Sequence, residues 1–238
     1  MPTHKSKIRG RPRVKKRALV NGILQVLVNG VAWRKMAECG CSYVSCFRYL
    51  KEVQRRGKLK LIYKMLAKQM TNLENCSIDT TLIPSFEFQA LTGWSGKHKQ
   101  VGTKISLVAD EGGLPADCQF GKGSTNDKVF LPDHVRAIKN KKKKVMNLDM
   151  GYMNLDFRRE MQRIGVRVNM KVRDQDFTRK RGPKFSFDEE KYKARLLLER
   201  TNGWIKNFRR LRLRREFHIA MFEAFVFLAL IIILIRSG

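Results

Sequence analysis

The spacing of apolar side chains predicts that the first third of the chain is helical. Apolar residues recur at helical intervals in three long runs and one short run, over residues 18–28, 33–36, 42–57 and 59–70. Gly30 and Gly57 each follow a run at a position where glycine commonly ends a helix, and Ser42 precedes another run as an N-cap. We therefore expect a small all-α domain over residues 18–72.

A different pattern begins near residue 75, where short β-branched runs alternate with turns and helices. Strands are predicted over residues 76–83, 102–109, 114–120, 145–149 and 166–170. The first three strands follow one another without a helix, whereas a helix follows each of the third, fourth and fifth. This order is the one expected of a ribonuclease H-like α/β fold, with a five-stranded mixed sheet and helices over residues 73–238.

The last helix of that order, over residues 192–206, has an unusual polar face. Four of its side chains fall within about 60° of one another at 100° per residue, namely Tyr192, Arg195, Glu199 and Lys206. A carboxylate between two cations and a phenol is typical of metal and phosphate chemistry. An amphipathic helix with an ordinary Arg–Glu ion pair at spacing i, i+4 explains the same residues equally well.

Two aspartates in the predicted sheet favour the first of these interpretations. Asp79 lies inside an otherwise apolar strand, and Asp149 ends the fourth strand. Burying an unpaired carboxylate costs free energy, and a divalent metal ion would offset that cost. The predicted fold would bring Asp79 and Asp149 beside Glu199, although they are far apart along the chain.

The charge of the chain indicates a polyanionic partner. Lys and Arg number 50 against 21 Asp and Glu, which gives a formal net charge of +29. Nucleic acid is the default partner for such a protein, although a membrane surface or a ribosome would also suit it. Residues 1–17 form a predicted flexible basic arm. Its Arg9, Arg11 and Arg13 resemble the core of an AT-hook, and a general phosphate-binding arm is the alternative.

The helical N-terminal domain also has a basic face. On the helix over residues 42–57, Val44, Phe47 and Leu50 are predicted to face the core. Four cations are predicted to point outward, namely Arg48, Lys51, Arg55 and Arg56. Short helices with a tight glycine turn before a basic helix are typical of a helix-turn-helix DNA-binding domain. A small helical bundle with a solvated charged face is the alternative.

Residues 219–235 are apolar except for Glu223 and are flanked by arginines. A membrane span needs about 20 residues, so this 17-residue segment is short for one, and a buried core helix has the same composition.

The five cysteines are an odd number with no secretory signal, which predicts free thiols in a reducing compartment. A zinc site is disfavoured because no CxxC pair and no nearby histidine accompanies them.

Together these motifs resemble one family. Tyr192, Arg195, Glu199 and Lys206, separated by two, three and six residues, match the signature of prokaryotic insertion-sequence transposases with a DDE triad, close to the insertion-sequence-five group. Residues 78–81 and 148–152 are similar to the segments that carry the first and second aspartate. Met150 departs from the commonest pattern, which has a basic residue there, and residues 86–99 lack the usual basic and histidine-rich character.

The resemblance implies a transposase that binds transposon ends and catalyses metal-dependent DNA cleavage and strand transfer. Asp79 would bridge two Mg²⁺ ions, or Mn²⁺ in their place, while Asp149 and Glu199 would each hold one. Tyr192, Arg195 and Lys206 would contact the DNA, or Arg195 would only orient Glu199. The implied partner is double-stranded DNA, both inverted-repeat ends and target. The protein would act as a homodimer in the cytoplasm of a prokaryote, at the nucleoid and without a membrane.

Two other functions remain open from the sequence. One is a ribonuclease H-like nuclease that does not transpose, such as a junction resolvase. The other is an inactive DNA-binding remnant of a transposase. The helical basic domain before the catalytic domain favours a transposase over the first, and the presence of all three carboxylates disfavours the second.

Overall fold

The computed structural model describes residues 14–36, 40–87, 89–138, 144–152, 155–171 and 186–237. A mixed sheet lies at its centre. The strands are β1 (Asn75–Pro84), β2 (Gly93–Ser95), β3 (Gln100–Asp110), β4 (Pro115–Lys122), β5 (Lys144–Asn147) and β6 (Val166–Asn169). They lie in the order β2-β3-β1-β5-β6, and β4 also pairs with β3. The five predicted strands are confirmed, and β2 is an additional short strand.

The directions of the strands match the predicted topology. β1, β3 and β4 form an antiparallel meander, and β2 pairs antiparallel with the start of β3. β5 and β6 run parallel to β1, joined by helices that cross one face of the sheet. These are α4 (Leu131–Ala137) and α5 (Leu155–Arg163). Ile78 and Val108 point to that face and are buried among them, as expected when alternate strand residues face opposite sides.

The N-terminal helices begin and end near the predicted positions. They are α1 (Lys16–Asn29), α2 (Tyr43–Arg55) and α3 (Lys58–Met70), with a 3-10 turn at Trp33–Lys35. Gly30 has φ 68° and Gly57 has φ 66°, a left-handed conformation that suits glycine. The hydroxyl of Ser42 accepts a hydrogen bond from the Ser45 amide at 3.3 Å, which confirms the predicted N-cap.

The face predicted for α2 needs a correction. Val44 and Phe47 are each 38% exposed, whereas Cys46 and Leu50 are buried. Phe47 packs edge-on against Trp33 at 5.6 Å, near the rim of the core. The prediction was right for Leu50 but wrong for Val44 and Phe47, because it counted large apolar side chains only, although cysteine is as easily buried as they are.

The apolar C-terminal segment forms α8 (Ile219–Ser237), which is long and apolar enough to cross a membrane. In this fold α8 is a core helix, because 61% of its apolar stretch is buried inside the protein. It packs against α2, α3 and β4 and shares one hydrophobic cluster with Val26, Leu50 and Tyr63. The helices of residues 18–72 and one face of the sheet therefore both pack their apolar side chains against α8. The predicted boundary at residue 72 stays a prediction about independent folding.

The helix predicted over residues 192–206 is divided in two. A single turn, α6 (Glu189–Tyr192), is followed by α7 (Ala194–Asn207), and Lys193 between them keeps a helical backbone conformation. Asp188 caps α6, because its carboxylate accepts a hydrogen bond from the Lys191 amide. α7 packs across β1 and β3 on the face opposite α4 and α5, so the predicted polar face lies over the sheet.

Candidate active site

The parallel pairing of β1 and β5 brings two of the predicted carboxylates to one face of the sheet. Ser77 on β1 lies opposite Asn147 on β5. Asp79 lies two residues further along β1, so its side chain points to the side covered by α7. Asp149 follows two residues after the end of β5, and its Oδ1 lies 3.5 Å from Arg195 on α7. Glu199 lies on α7 itself. The structure thus places Asp79, Asp149 and Glu199 on the same side of the sheet.

The three carboxylates surround the guanidinium of Arg195. Its Nη2 lies 3.9 Å from Asp79 Oδ1 and 4.0 Å from Glu199 Oε1. Its Nη1 lies 3.5 Å from Asp149 Oδ1. The side chain of Asp79 is 15% exposed, against 42% for Asp149 and 55% for Glu199. The site is therefore a cleft with Asp79 at its base and Glu199 at its rim.

The electrostatics of the site follow from burial and from this central cation. Burial raises the pKa of Asp79 above its ordinary value, while Arg195, a backbone hydrogen bond from Thr80 and the charge of Lys97 partly oppose that rise. Burial alone would lower the pKa of Arg195. The hydrogen bond with Tyr192 and the charges of Asp79 and Asp149 raise it above its ordinary value instead. The guanidinium is thus held charged among the carboxylates.

Asn202 is a site residue that the sequence did not suggest. It lies one turn after Glu199 on α7 and is 8% exposed. Its Nδ2 donates to Asp79 Oδ2 at 3.4 Å, and its Oδ1 is buried without a hydrogen-bond partner among the described residues. The i, i+3 spacing from Glu199 places it on the same helix face, which is the signal that could have identified it.

A chain of buried asparagines connects the sheet to the start of α6. Asn147 Nδ2 donates to Asn75 Oδ1 at 2.8 Å, and Asn169 Nδ2 donates to Asn147 Oδ1 at 2.8 Å. Asn169 also bonds both main-chain groups of Asp188, at 2.9 and 2.8 Å. Asn75 Nδ2 donates to the Lys191 carbonyl at 3.3 Å. These bonds fix the entry of the helix that carries Arg195 and Glu199 relative to β1 and β5.

The other predicted residues of the helix lie around the cleft. The hydroxyl of Tyr192 accepts a hydrogen bond from Arg195 Nη1 at 3.3 Å, and its ring packs edge-on against Phe187. Burial lowers the pKa of Lys206, which the charge of Asp79 partly offsets. Lys97, in the turn between β2 and β3, also affects Asp79 through its charge. This turn lies within residues 86–99, the segment that departs from the usual basic and histidine-rich pattern.

The predicted DNA-binding residues of the N-terminal part lie elsewhere. Arg48, Lys51, Arg55 and Arg56 are all exposed on α2, as predicted. Arg55 and Arg56 both form ion pairs with Glu52, which offsets part of their charge. Within the described residues no hydrogen bond or ion pair links these four to the three carboxylates. Arg9, Arg11 and Arg13 lie outside the described residues.

The donor atoms of the site suit a hard divalent cation. All three ligand candidates are carboxylates, and the orphaned Oδ1 of Asn202 is a further oxygen near Asp79. In the described part of the chain no three acidic, histidine or cysteine side chains lie close enough to form a ready metal site. The carboxylates gather around the guanidinium rather than around a shared point, so the residues fit metal ions chemically but need a rearrangement.

Comparison with known proteins identifies the family. Residues 74–234 match the model described as the transposase DDE domain. The chain belongs to the DDE transposases. Its residues 1–63 also match a model for proposed transposases of the IS4/5 family. The transposase is thus of the insertion-sequence type, as the signature on α6 and α7 predicted. The family uses divalent metal ions.

One sequence relative and one solved structure are also similar to this chain. An uncharacterized 16.2 kDa protein of insertion element IS402 from Burkholderia cepacia is 32% identical over 103 residues, which cover 42% of this transposase and 67% of that protein. A piggyBac transposase, solved by cryo-electron microscopy as a synaptic complex with hairpin DNA, superposes with a TM-score of 0.52. That match covers 99% of this chain and 69% of the other at 11% identity, so it supports the ribonuclease H-like fold.

Proposed function

We propose that the chain is an active transposase that cleaves double-stranded DNA at transposon ends and joins the cleaved end to target DNA. The observation that supports this proposal is the convergence of Asp79, Asp149 and Glu199 on one cation within 4.0 Å. Asp79 comes from the central strand β1, Asp149 from the segment just after its parallel neighbour β5, and Glu199 from α7, which packs across β1 and β3. A chance cluster of surface charges would not be anchored by the buried asparagines.

Asp79, Asp149 and Glu199 would hold two Mg²⁺ ions, or Mn²⁺ in their place. Carboxylate-bound ions of this kind activate an attacking oxygen and stabilise the leaving oxygen of an in-line phosphoryl displacement. Burial of Asp79 would favour metal binding, because a poorly hydrated carboxylate is stabilised most strongly by a nearby cation. Asn202 would keep one oxygen of Asp79 oriented through its hydrogen bond.

The reaction would proceed in two displacements at phosphorus. A water oxygen bonds to the scissile phosphorus while the bond to the 3′ oxygen breaks, and the leaving oxygen takes up a proton to give a free 3′ hydroxyl. That hydroxyl then attacks a phosphodiester of the target, loses its proton and displaces a second 3′ oxygen. Each step exchanges one P–O bond for another, so no oxidant, reductant or nucleotide is required.

Cations around the cleft would bind the DNA backbone. Lys97 and Lys206 lie near enough to Asp79 to interact with its charge, so phosphates beside the scissile bond would contact them. Arg48 and Lys51 on α2 are exposed and would bind DNA further from the cleft. Because the net charge is +29, the affinity for DNA would fall steeply as the salt concentration rises.

We further propose that the protein acts as a homodimer on DNA, at the nucleoid in the cytoplasm of a prokaryotic cell.

The triad is tested by three conservative substitutions, Asp79→Asn, Asp149→Asn and Glu199→Gln. Each should lower Mg²⁺-dependent cleavage of a duplex that carries the inverted repeats flanking the gene by at least about 10³-fold, because a metal ligand is lost. Binding of the same duplex, measured by fluorescence anisotropy, should persist. A variant that keeps full cleavage would not be a triad member, and cleavage without joining to a second duplex would indicate a nuclease that does not transpose.

A further inference from the structure

Arg195 occupies the position toward which all three carboxylates point. Its side chain is 16% exposed, and its Nε is buried without a hydrogen-bond partner in the described structure. A guanidinium has five donor N–H groups, and a site built for it would use them fully. Here the contacts to carboxylates are long, between 3.5 and 4.0 Å, so none is an ideal bidentate pair.

Such contacts suit a temporary counterion better than a permanent ion pair. Three carboxylates that face one another repel, and a cation between them lowers that repulsion. Metal ligation would require carboxylate oxygens at about 2.0–2.1 Å from a Mg²⁺ ion. The carboxylates cannot approach a common point that closely while the guanidinium lies between them.

We propose that Arg195 is the internal counterion of the metal-free triad, and that it leaves the carboxylates for a DNA phosphate when divalent ions bind. This inference rests on the proposed function of the triad. It gives Arg195 two successive partners, so orienting the carboxylates and contacting DNA are roles of one side chain in two states. Arg195 is accordingly a positioning residue before the DNA is bound.

The exchange couples metal binding to DNA binding. A DNA phosphate stabilises Arg195 outside the triad, which removes a competitor for the carboxylates. Metal ions in the triad release Arg195 for the phosphate. Because such coupling is reciprocal, DNA should raise the affinity for metal ions by the same factor as the ions raise the affinity for DNA. Full assembly of the site would then occur only on DNA.

The test measures Mn²⁺ binding to the full chain by electron paramagnetic resonance, without DNA and without reference to activity. Arg195→Ala should bind Mn²⁺ about tenfold more tightly than the wild type, a typical size for coupling between two ligands. Arg200→Ala is the matched control, since it removes the same charge from α7. Arg200 stacks on Trp204 and bonds the Gly112 carbonyl, away from the triad. Its Mn²⁺ affinity should change by less than about twofold.

A second arm measures the coupling itself. A short duplex with an inverted-repeat end should tighten Mn²⁺ binding in the wild type and in Arg200→Ala, but not in Arg195→Ala. Should Arg195→Ala fail to fold, as judged by circular dichroism, Arg195→Gln takes its place because its amide side chain is neutral and of comparable polarity. An unchanged or weaker Mn²⁺ affinity in the neutral variant, or coupling that survives in it, overturns the counterion role.

The Asp79→Asn variant separates this inference from the proposed function. If Asp79→Asn weakens Mn²⁺ binding while Arg195→Ala does not strengthen it, the triad binds metal and only the counterion role is overturned. If neither the wild type nor any variant binds Mn²⁺ with or without DNA, the metal-binding triad and the counterion role are both overturned. Tighter binding in Arg195→Ala alone, with loss of coupling, supports the exchange.

Discussion

Arg214 shows how much a single buried side chain contributes to this fold. It is fully buried, and its guanidinium donates to three main-chain carbonyls and to one hydroxyl, those of Ala90, Glu216, Phe217 and Thr103. Burial lowers its pKa below the ordinary value for arginine. The side chain joins the loop after β1, the start of β3 and the segment before α8, where the Arg214 amide also donates a hydrogen bond to the Pro84 carbonyl at 2.9 Å.

Replacing Arg214 by methionine should therefore lower the free energy of unfolding by about 3 kcal/mol or more, because buried carbonyls and a hydroxyl lose their donor. Urea denaturation of the full chain measures the change. Arg215→Met is the control, since Arg215 is exposed, and its free energy of unfolding should change by less than about 0.5 kcal/mol. Equal effects for the two substitutions would contradict this account of Arg214.

Some buried charged residues can be recognised from the sequence and others cannot. Asp79 could be singled out because it interrupts an apolar strand, and a buried carboxylate needs a partner. Arg210 and Arg214 could not, because they lie in a run of arginines that looks uniformly exposed. Arg210 is in fact buried in an ion pair with Glu216 at 2.6 Å. Their burial depends on distant segments that fold over them, and no local pattern records that.

Among the elements, the asparagine chain holds α6 and α7 above the sheet. Asn169→Leu should lower the free energy of unfolding by about 2–4 kcal/mol, because the main-chain groups of Asp188 and the Oδ1 of Asn147 would lose partners in a buried place. Asn207→Leu, at an exposed position, should cost less than about 1 kcal/mol. Urea denaturation compares the two. Amide exchange at the start of α6 should also become faster in Asn169→Leu alone.

α8 contains an acid whose environment opposes its ionisation. Burial raises the pKa of Glu223, and Lys60 and Arg214 only partly offset this. Since the folded-state pKa is raised, the stability contribution of Glu223 is complete below its ordinary pKa of 4.5 and is lost as pH rises through the raised value. At neutral pH the charged form therefore costs stability.

Glu223→Gln should consequently raise the melting temperature at pH 7 by about 2–4 °C, corresponding to about 1 kcal/mol. The new amide would donate to Gln54 Oε1, which is buried and has no hydrogen-bond partner in the described part of the chain. The gain should disappear toward pH 4, where Glu223 is protonated in the wild type. Glu52→Gln is a control of opposite sign, because hydrogen bonds from Arg55 and Arg56 lower the pKa of Glu52 to about 2. A gain that persists at pH 4 would exclude titration of Glu223 as the cause.

Element boundaries were predictable where local chemistry sets them. Ser42, Gly30 and Gly57 act on their own helix ends, so α1 and α2 end near the predicted residues. β2 was missed because Gly93–Ser95 has no strand pattern of its own and forms only by pairing with β3. The order of the five longer strands was predictable because the order of strands and helices allows few topologies.

For the whole molecule, the shared core makes the N-terminal helices part of the catalytic fold. Residues of α1, α2 and α3 lie in the same cluster as Phe222, Phe225 and Phe227 of α8. A fragment of residues 73–238 would expose that apolar surface to water. We expect it to aggregate or to unfold without a cooperative transition, whereas the full chain unfolds cooperatively in scanning calorimetry. A soluble fragment with its own sharp transition would show that the two parts fold independently.

The position of α8 also has a consequence for synthesis on the ribosome. Gln54 on α2 and Glu223 on α8 are hydrogen-bonded although they are 169 positions apart in the chain. At about 5–20 residues per second, translation needs on the order of ten seconds or more to connect them. During that interval the emerging basic helices lack their apolar support. A prematurely terminated product without α8 would therefore not persist as a folded N-terminal fragment.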